Sequence, residues 1–184
     1  MQYTLTGDKI EEVIKENVVD SAVLELKPHI YNMRYEQVKA EGDNLNQLLG
    51  YGHVAALSQV LERHQACKGA LIDQFTQSKA VLNSLKAKFP AMTFKQQPKA
   101  ESDLAVAAAS VLARAKFLRS MDELALMAGE EELPKGGGEL ATECAKRIAE
   151  RLGKEELRKF VKVHFANYLK LLPFLLAFQL LDQM

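Results

Sequence analysis

The spacing of apolar residues divides the chain into a first part in which helices and strands alternate and a second part that is helical. Apolar positions recur every three to four residues in some segments, as in half-buried helices, and alternate or cluster in others, as in strands. The pattern predicts helices over residues 6–18, 32–42, 44–64 and 78–89, and strands over residues 20–30, 68–75 and 92–97. It therefore indicates an α/β fold with a helical carboxyl-terminal part.

Glycine, proline and capping residues predict where several of these elements end. Asn44 is a plausible cap for the helix that follows it, and Gly42 and Gly129 are expected to end helices. Pro28 is expected at a strand end or on an edge strand. A long Ala-rich helix is predicted from residue 101 to about residue 128, with Glu101 in its first turn.

Length and composition predict one domain with a substantial core. The chain has 184 residues, of which 48% are hydrophobic. We interpret residues 1–184 as a single domain: sheet and helices over 1–133, a Gly-rich loop over 134–138, and helices over 139–184. The formal net charge is zero, which excludes a uniformly basic surface, so any contact with nucleic acid depends on a local patch.

The cysteines and the residues near both ends of the sequence indicate in which cellular compartment the protein is expected. Cys67 and Cys144 lack metal-ligand spacing and are expected to be free, buried and reduced, which suits a cytoplasmic protein. The amino terminus has no apolar signal core. Residues 168–183 are strongly apolar but contain Pro173 and are too short to span a membrane. We expect a packed or partner-facing terminal helix.

Two carboxylates are the best candidates for chemistry. Asp73 follows one predicted strand and Glu101 follows the next. If the strands are neighbours, their carboxyl ends bring the two side chains together, and paired carboxylates hold Mg²⁺ or Mn²⁺ for phosphoryl transfer. Alternatively, Asp73 is a turn or cap residue and Glu101 an ordinary helix-start acid.

Other motifs are weaker. The segment LPKGGG offers backbone N–H groups and Lys135 to a phosphate, but it lacks P-loop spacing and is equally typical of a flexible linker. The histidines show no metal-ligand spacing, and His164 is predicted to be a hydrogen-bonded structural residue on a helix. No serine or cysteine nucleophile with a recognisable partner is present.

Five sequence blocks together carry a resemblance to a known family. They occur in order over roughly residues 44–167: NLNQLLGYGHVAAL, LIDQF, KAESDLAVAAASVLARAKFL, LPKGGG and KVHFAN. This order resembles the type 3 bacterial ribonucleases H (ribonuclease HIII), and the KAES block with its helix is shared more loosely with ribonuclease HII. The resemblance implies a ribonuclease H-like fold.

The resemblance also implies an activity and a site. The family cleaves RNA in RNA–DNA hybrids by two-metal hydrolysis with Mg²⁺ or Mn²⁺ and uses four acidic residues. The third falls at Asp73 and the fourth at Glu101. Lys99, Ser110 and Lys135 are lesser candidates for substrate or phosphate contact. The small side chains of Ala105, Ala108 and Ala109 would let their helix approach the sheet closely.

The family's first two acids have no counterpart in this sequence. They form a D-E-x-G-x-G-type motif, whereas Asp122–Glu123 has no such glycines after it. We therefore expect an amino-terminally truncated ribonuclease H-like domain that is inactive or weak by itself. The alternatives are a non-catalytic module that forms a homo-oligomer through an exposed sheet edge and the apolar tail, and a split nuclease completed by another chain.

Overall fold

The computed structural model describes residues 7–181, and these form eight α-helices, two strands and one 3₁₀ turn. The strands are β1 (Gly69–Asp73) and β2 (Thr93–Gln97), and the 3₁₀ turn covers Ala100–Ser102. The helices are α1 (Gly7–Asn17), α2 (Pro28–Ala40), α3 (Leu45–Arg63), α4 (Ala80–Lys88), α5 (Leu104–Ala128), α6 (Glu139–Leu152), α7 (Lys154–Leu157) and α8 (Ala166–Leu181). Most predicted elements are confirmed; residue 6 of the first predicted helix lies outside the described residues.

The described residues fall into two compact units. The first comprises the chain up to Glu25 together with Val38–Phe117, and the second comprises Leu26–Gln37 and the chain from Leu118 onward. The interpretation of residues 1–184 as a single domain therefore stays a prediction.

The first unit is built on a β1–α4–β2 crossover. The two strands pair in parallel, and Asp73 lies opposite Gln97 at their carboxyl ends. Apolar side chains from α3, α4 and both strands form the core of this unit: Leu61, Ile72, Val81, Leu85 and Phe94. Gly50 allows α3 and α4 to approach closely, because a Cβ atom there would lie 3.1 Å from Val81 Cγ2.

The second unit has a separate helical core. Ile148 of α6, Leu157 of α7 and Leu171 of α8 are almost fully buried in it. Leu175, beyond Pro173, also lies in this core, so α8 is a packed terminal helix within the described residues. Gly129 ends α5 with a positive φ of 64°, as predicted.

The predicted strand over residues 20–30 is wrong. Residues 20–27 form no regular structure, and Pro28 begins α2 instead of ending a strand. Proline suits the first position of a helix because its fixed φ is helical and the N–H that it lacks would have no helical partner there. Asp20 is bound by other groups, because its carboxylate accepts hydrogen bonds from Arg63 Nε at 2.7 Å and from the Ser21 N–H at 2.7 Å.

The part predicted to be helical over residues 139–184 contains a break at residues 158–165, between α7 and α8. His164 lies in a turn, not on a helix. The buried Asn32 side chain supplies hydrogen bonds in this turn: it donates to the carbonyls of Arg158 and Val161 and accepts from the Val163 N–H. His164 packs among aromatic rings, and its buried Nδ1 has no hydrogen-bond partner in the described part of the chain, contrary to the expectation of a hydrogen-bonded residue.

The start of α5 differs from its prediction. The helix begins at Leu104 because Asp103 caps it, accepting a hydrogen bond from the Ala105 N–H at 2.9 Å. Glu101 therefore lies in the preceding 3₁₀ turn and not in the first turn of α5. Of the three alanines expected to let the helix approach the sheet closely, Ala105 and Ala109 are exposed and only Ala108 is half-buried. The expected role is therefore wrong for Ala105 and Ala109.

Two further expectations concern the thiols and the membrane. Cys67 and Cys144 are both free, as predicted. Cys144 is buried, but Cys67 is exposed because it precedes β1 in a surface turn, so its predicted burial is wrong. Among the described residues, none of the helices combines the length and apolar character needed to cross a membrane.

Candidate metal centre

Asp73 lies where the two parallel strands end. It is the last residue of β1 and pairs with Gln97, the last residue of β2. The ladder continues one step further, because the Gln74 N–H donates to the Gln97 carbonyl at 3.0 Å. The chain then turns back, and the Ala100 N–H donates to Asp73 Oδ1 at 3.0 Å. Asp73 is thus bound to the residue immediately before Glu101.

Glu101 lies in a short turn that is held by its own hydrogen bonds. The Lys99 carbonyl accepts from the Ser102 N–H at 3.3 Å and from Ser102 Oγ at 3.1 Å. Ala100 is fully buried beneath the turn, whereas Glu101 is exposed. Within residues 7–181, the Glu101 carboxylate makes no hydrogen bond or ion pair. Its oxygens are therefore available to a ligand.

An aromatic contact beside Asp73 was not foreseen from the sequence. The His53 ring of α3 stacks on Phe75, with centroids 4.7 Å apart and planes 12° from parallel. Phe75 is fixed close to Asp73 because its N–H donates to the Asp73 carbonyl at 3.1 Å. Desolvation lowers the pKa of His53, and the negative charge of Asp73 opposes that shift. No spacing rule predicts this contact, since it joins residues of separate elements.

The three lesser candidates have different surroundings. Lys99 precedes Ala100 in the turn at the strand ends, and Ser110 lies at an exposed position of α5. Lys135 belongs to the second unit, where it pairs with Glu132 at 3.3 Å in the loop before α6. Residues 134–138 form no helix or strand, and Gly136 has a positive φ of 97°.

The donor set fits a hard divalent cation. Carboxylate oxygens are the ligands that Mg²⁺ and Mn²⁺ prefer. Asp73 uses one oxygen for the Ala100 N–H, which leaves its second oxygen, and Glu101 retains both of its own. In the part of the chain that the structure describes, no three His, Cys, Asp or Glu side chains cluster closely enough to hold a metal. Water or further groups would complete the coordination of an ion here.

Comparison with known proteins identifies the family. The model of the family described as ribonuclease HII matches residues 4–168. The chain therefore belongs to the ribonuclease HII family, and the resemblance drawn from its sequence blocks is confirmed.

Several individual relatives are ribonucleases HIII. The chain is 36% identical over 164 residues to ribonuclease HIII of Protochlamydia amoebophila, covering 88% of this chain and 52% of that protein. It is 37% identical over 178 residues to ribonuclease HIII of Bacillus cereus, covering 93% and 56%. The chain thus spans about half the length of the relatives that it matches.

A solved structure shows the same fold. The crystal structure of Bst-RNase HIII in complex with Mn²⁺ matches with a TM-score of 0.76 and 29% identity, over 94% of this chain and 56% of that one. The crystal structure of a point mutant of the same enzyme gives a TM-score of 0.75 at 28% identity, with the same coverage of both chains. The predicted α/β ribonuclease H-like fold is confirmed.

Proposed function

We propose that this chain contributes Asp73 and Glu101 to a site that hydrolyses RNA in RNA–DNA hybrids. The observation that carries the proposal is the hydrogen bond from the Ala100 N–H to Asp73 Oδ1, which joins one carboxylate to the turn that bears the other. Membership of the ribonuclease HII family supports the reaction class. The Mn²⁺ complex of Bst-RNase HIII supports Mn²⁺ or Mg²⁺ as the cofactor.

The two side chains have different roles in this proposal. Asp73 is an oriented ligand, because the Ala100 N–H fixes one oxygen and leaves the second for the cation. Glu101 is an exposed ligand with both oxygens free of protein contacts in the described chain. When bound, divalent cations supply an activated water and neutralise charge on the phosphate. The proposed products carry a 3′-hydroxyl and a 5′-phosphate.

Two carboxylates are fewer than a two-metal site normally uses. The sequence contains one Asp–Glu pair, Asp122–Glu123, and no Gly-x-Gly follows it. We therefore propose that residues 1–184 are inactive or weak alone and need further acidic residues from another polypeptide segment. A cytoplasmic location agrees with the free thiols of Cys67 and Cys144.

The open edge of β1 supports a second candidate function. Among the described residues, the only ladder partner of β1 is β2, so no strand pairs with the other edge of β1. Such an edge pairs readily with another strand. We propose it as the place where a complementing chain binds, or where copies of this chain form a homo-oligomer.

The nuclease proposal is tested by cleavage of a labelled RNA–DNA hybrid in Mg²⁺ and then in Mn²⁺. The variants are Asp73→Asn and Glu101→Gln, and Asp122→Asn is the matched control because Asp122 is an exposed carboxylate of α5. Cleavage is measured for the chain alone and after addition of a fragment that carries the family's first two acids. We expect any cleavage to vanish in Asp73→Asn and Glu101→Gln and to persist in Asp122→Asn. Cleavage that survives both substitutions would exclude this site.

The edge proposal is tested by light scattering across a wide concentration range, with and without the complementing fragment. We expect a concentration-dependent oligomer or a complex with the fragment. A chain that stays monomeric and binds no fragment would refute a role for the β1 edge.

A further inference from the structure

Lys99 has an unusual backbone conformation at the candidate metal centre. Its φ is 54° and its ψ is 39°, in the left-handed region. Among the described residues, it is the one non-glycine residue with a positive φ. A side chain with a Cβ atom is disfavoured there because the Cβ lies too close to the carbonyl oxygen. Conformations of this kind persist where the surroundings enforce them, and they cluster at functional sites.

The left-handed residue determines how the chain leaves β2. Lys99 follows the strand by two residues, and its conformation turns the backbone so that the next N–H, that of Ala100, meets Asp73 Oδ1 at 3.0 Å. The Lys99 carbonyl accepts both bonds from Ser102, which closes the turn around Glu101. One backbone conformation thus serves the hydrogen bond to Asp73 and the turn that carries Glu101.

The Lys99 side chain makes no comparable contribution. The residue is exposed, and its ammonium group forms no ion pair or hydrogen bond with the residues of the described chain. A positive charge beside two carboxylates would also oppose the binding of a cation. The contribution of Lys99 to the site therefore comes from its backbone conformation and not from the charge of its side chain.

We propose that Lys99 is a positioning residue whose left-handed backbone, and not its ammonium group, holds Asp73 and Glu101 ready for a divalent cation. The inference rests on the proposed function, since it gives that metal centre its geometry. It predicts that the residue at position 99 affects metal binding according to how easily it adopts a positive φ.

The test is a series of uncharged residues at position 99. Glycine adopts the left-handed conformation freely and asparagine readily, alanine less so, and valine least because it is β-branched. The variants are Lys99→Gly, Lys99→Asn, Lys99→Ala and Lys99→Val, all of which lose the same charge. Lys95→Val is the matched control, because Lys95 is an exposed residue of β2, where valine is favoured.

Two NMR measurements are made on each protein. Hydrogen exchange of the Ala100 N–H reports on its bond to Asp73 without any metal. A Mg²⁺ titration, followed by the amide shifts of Ala100 and Glu101, gives a site-specific Kd. We expect Lys99→Gly and Lys99→Asn to agree with each other within about threefold in both measurements.

Valine is expected to raise the Mg²⁺ Kd at least tenfold relative to asparagine, and to speed exchange of the Ala100 N–H by a similar factor. Both values for Lys99→Ala should fall between those of Lys99→Asn and Lys99→Val. If the valine variant fails to fold, the comparison of alanine with asparagine tests the positioning role. Lys95→Val should match the wild type.

Three results separate the possible failures. Equal Kd values for alanine, valine and asparagine would overturn the positioning role. An equal change of the Mg²⁺ Kd in all four Lys99 variants would assign the effect to the loss of the ammonium group and would overturn the positioning role as well. A wild type that shows no Mg²⁺ shift at Ala100 or Glu101 would overturn the proposed metal centre, while exchange of the Ala100 N–H would still decide whether Lys99 holds Asp73.

Discussion

Replacing Asp73 by asparagine or by alanine separates the two tasks that this side chain performs. Asparagine keeps an oxygen that can accept from the Ala100 N–H, but it removes the negative charge. Alanine removes both the accepting oxygen and the negative charge. Because Ala100 is fully buried, its N–H is then left without a partner. The two variants should therefore differ in stability but agree in their loss of metal affinity.

The magnitudes follow from the single hydrogen bond. A bond to a charged acceptor is roughly twice as strong as a neutral one, so asparagine should lower the free energy of unfolding by about 1 kcal/mol. A buried N–H without a partner costs about 1–3 kcal/mol, so alanine should lower it by about 1–2 kcal/mol more than asparagine does. Both variants should weaken Mg²⁺ binding at least tenfold, or about 1.4 kcal/mol.

The assay is urea denaturation without metal, followed by circular dichroism, together with the Mg²⁺ titration. The control pair is Asp122→Asn and Asp122→Ala, which alter an exposed carboxylate and should each change stability by less than about 0.5 kcal/mol. Equal stability of Asp73→Asn and Asp73→Ala would show that the Ala100 hydrogen bond contributes nothing, and it would refute the oriented-ligand role.

Three further predictions concern the scaffold. Asn32→Ala should lower the free energy of unfolding by about 3 kcal/mol in urea denaturation, because the buried side chain makes three hydrogen bonds of about 1 kcal/mol each. Gly69→Ala should cost about 3 kcal/mol in the same measurement, because the new Cβ would lie 1.8 Å from the Thr93 carbonyl oxygen and force the strands apart. The Arg63 hydrogen bond lowers the pKa of Asp20 from 3.8 to about 2, so Asp20 stabilises the fold above pH 4. That stabilisation should disappear as the pH falls towards 2, and the Tm difference between the wild type and Asp20→Asn should shrink with it.

Each of these predictions has a clear contradiction. A loss below about 1 kcal/mol for Asn32→Ala or Gly69→Ala would mean that the surroundings relax around the change. A Tm difference for Asp20→Asn that stays constant between pH 5 and 2 would mean that the carboxylate gains nothing from Arg63. Replacing the exposed Gln59 of α3 by alanine provides a neutral reference for all three.

The sequence predicts the β1–α4–β2 crossover because its signals are local and agree with one another. Short apolar runs mark both strands, Asn44 caps α3 as expected, and Gly42 ends α2 with a positive φ of 82°. The pattern also indicates Asp73 and Glu101 as candidates, since each follows a strand. Their roles as metal ligands come from family resemblance and remain predictions.

The wrong predictions of secondary structure fall where hydrogen bonds from side chains distant in sequence take the place of local backbone hydrogen bonds. Residues 20–27 alternate like a strand, but no second strand in the described chain pairs with them, and Arg63 binds Asp20 instead. The turn around His164 depends on Asn32, which lies more than 120 residues earlier. The strain at Lys99 has no sequence signal, because lysine, unlike glycine or asparagine, is not typical of left-handed positions.

The parallel crossover has a consequence for the order in which the site forms during folding. Asp73 and Ala100 are 27 residues apart, and the core beneath them uses residues between Leu61 and Phe94. Loops of this length close with modest entropic cost, because that cost grows only slowly with the number of residues in the loop. A contiguous stretch of the polypeptide therefore contains what is needed to fix Asp73. During synthesis, we expect this carboxylate to acquire its hydrogen bond before the carboxyl-terminal helices have left the ribosome.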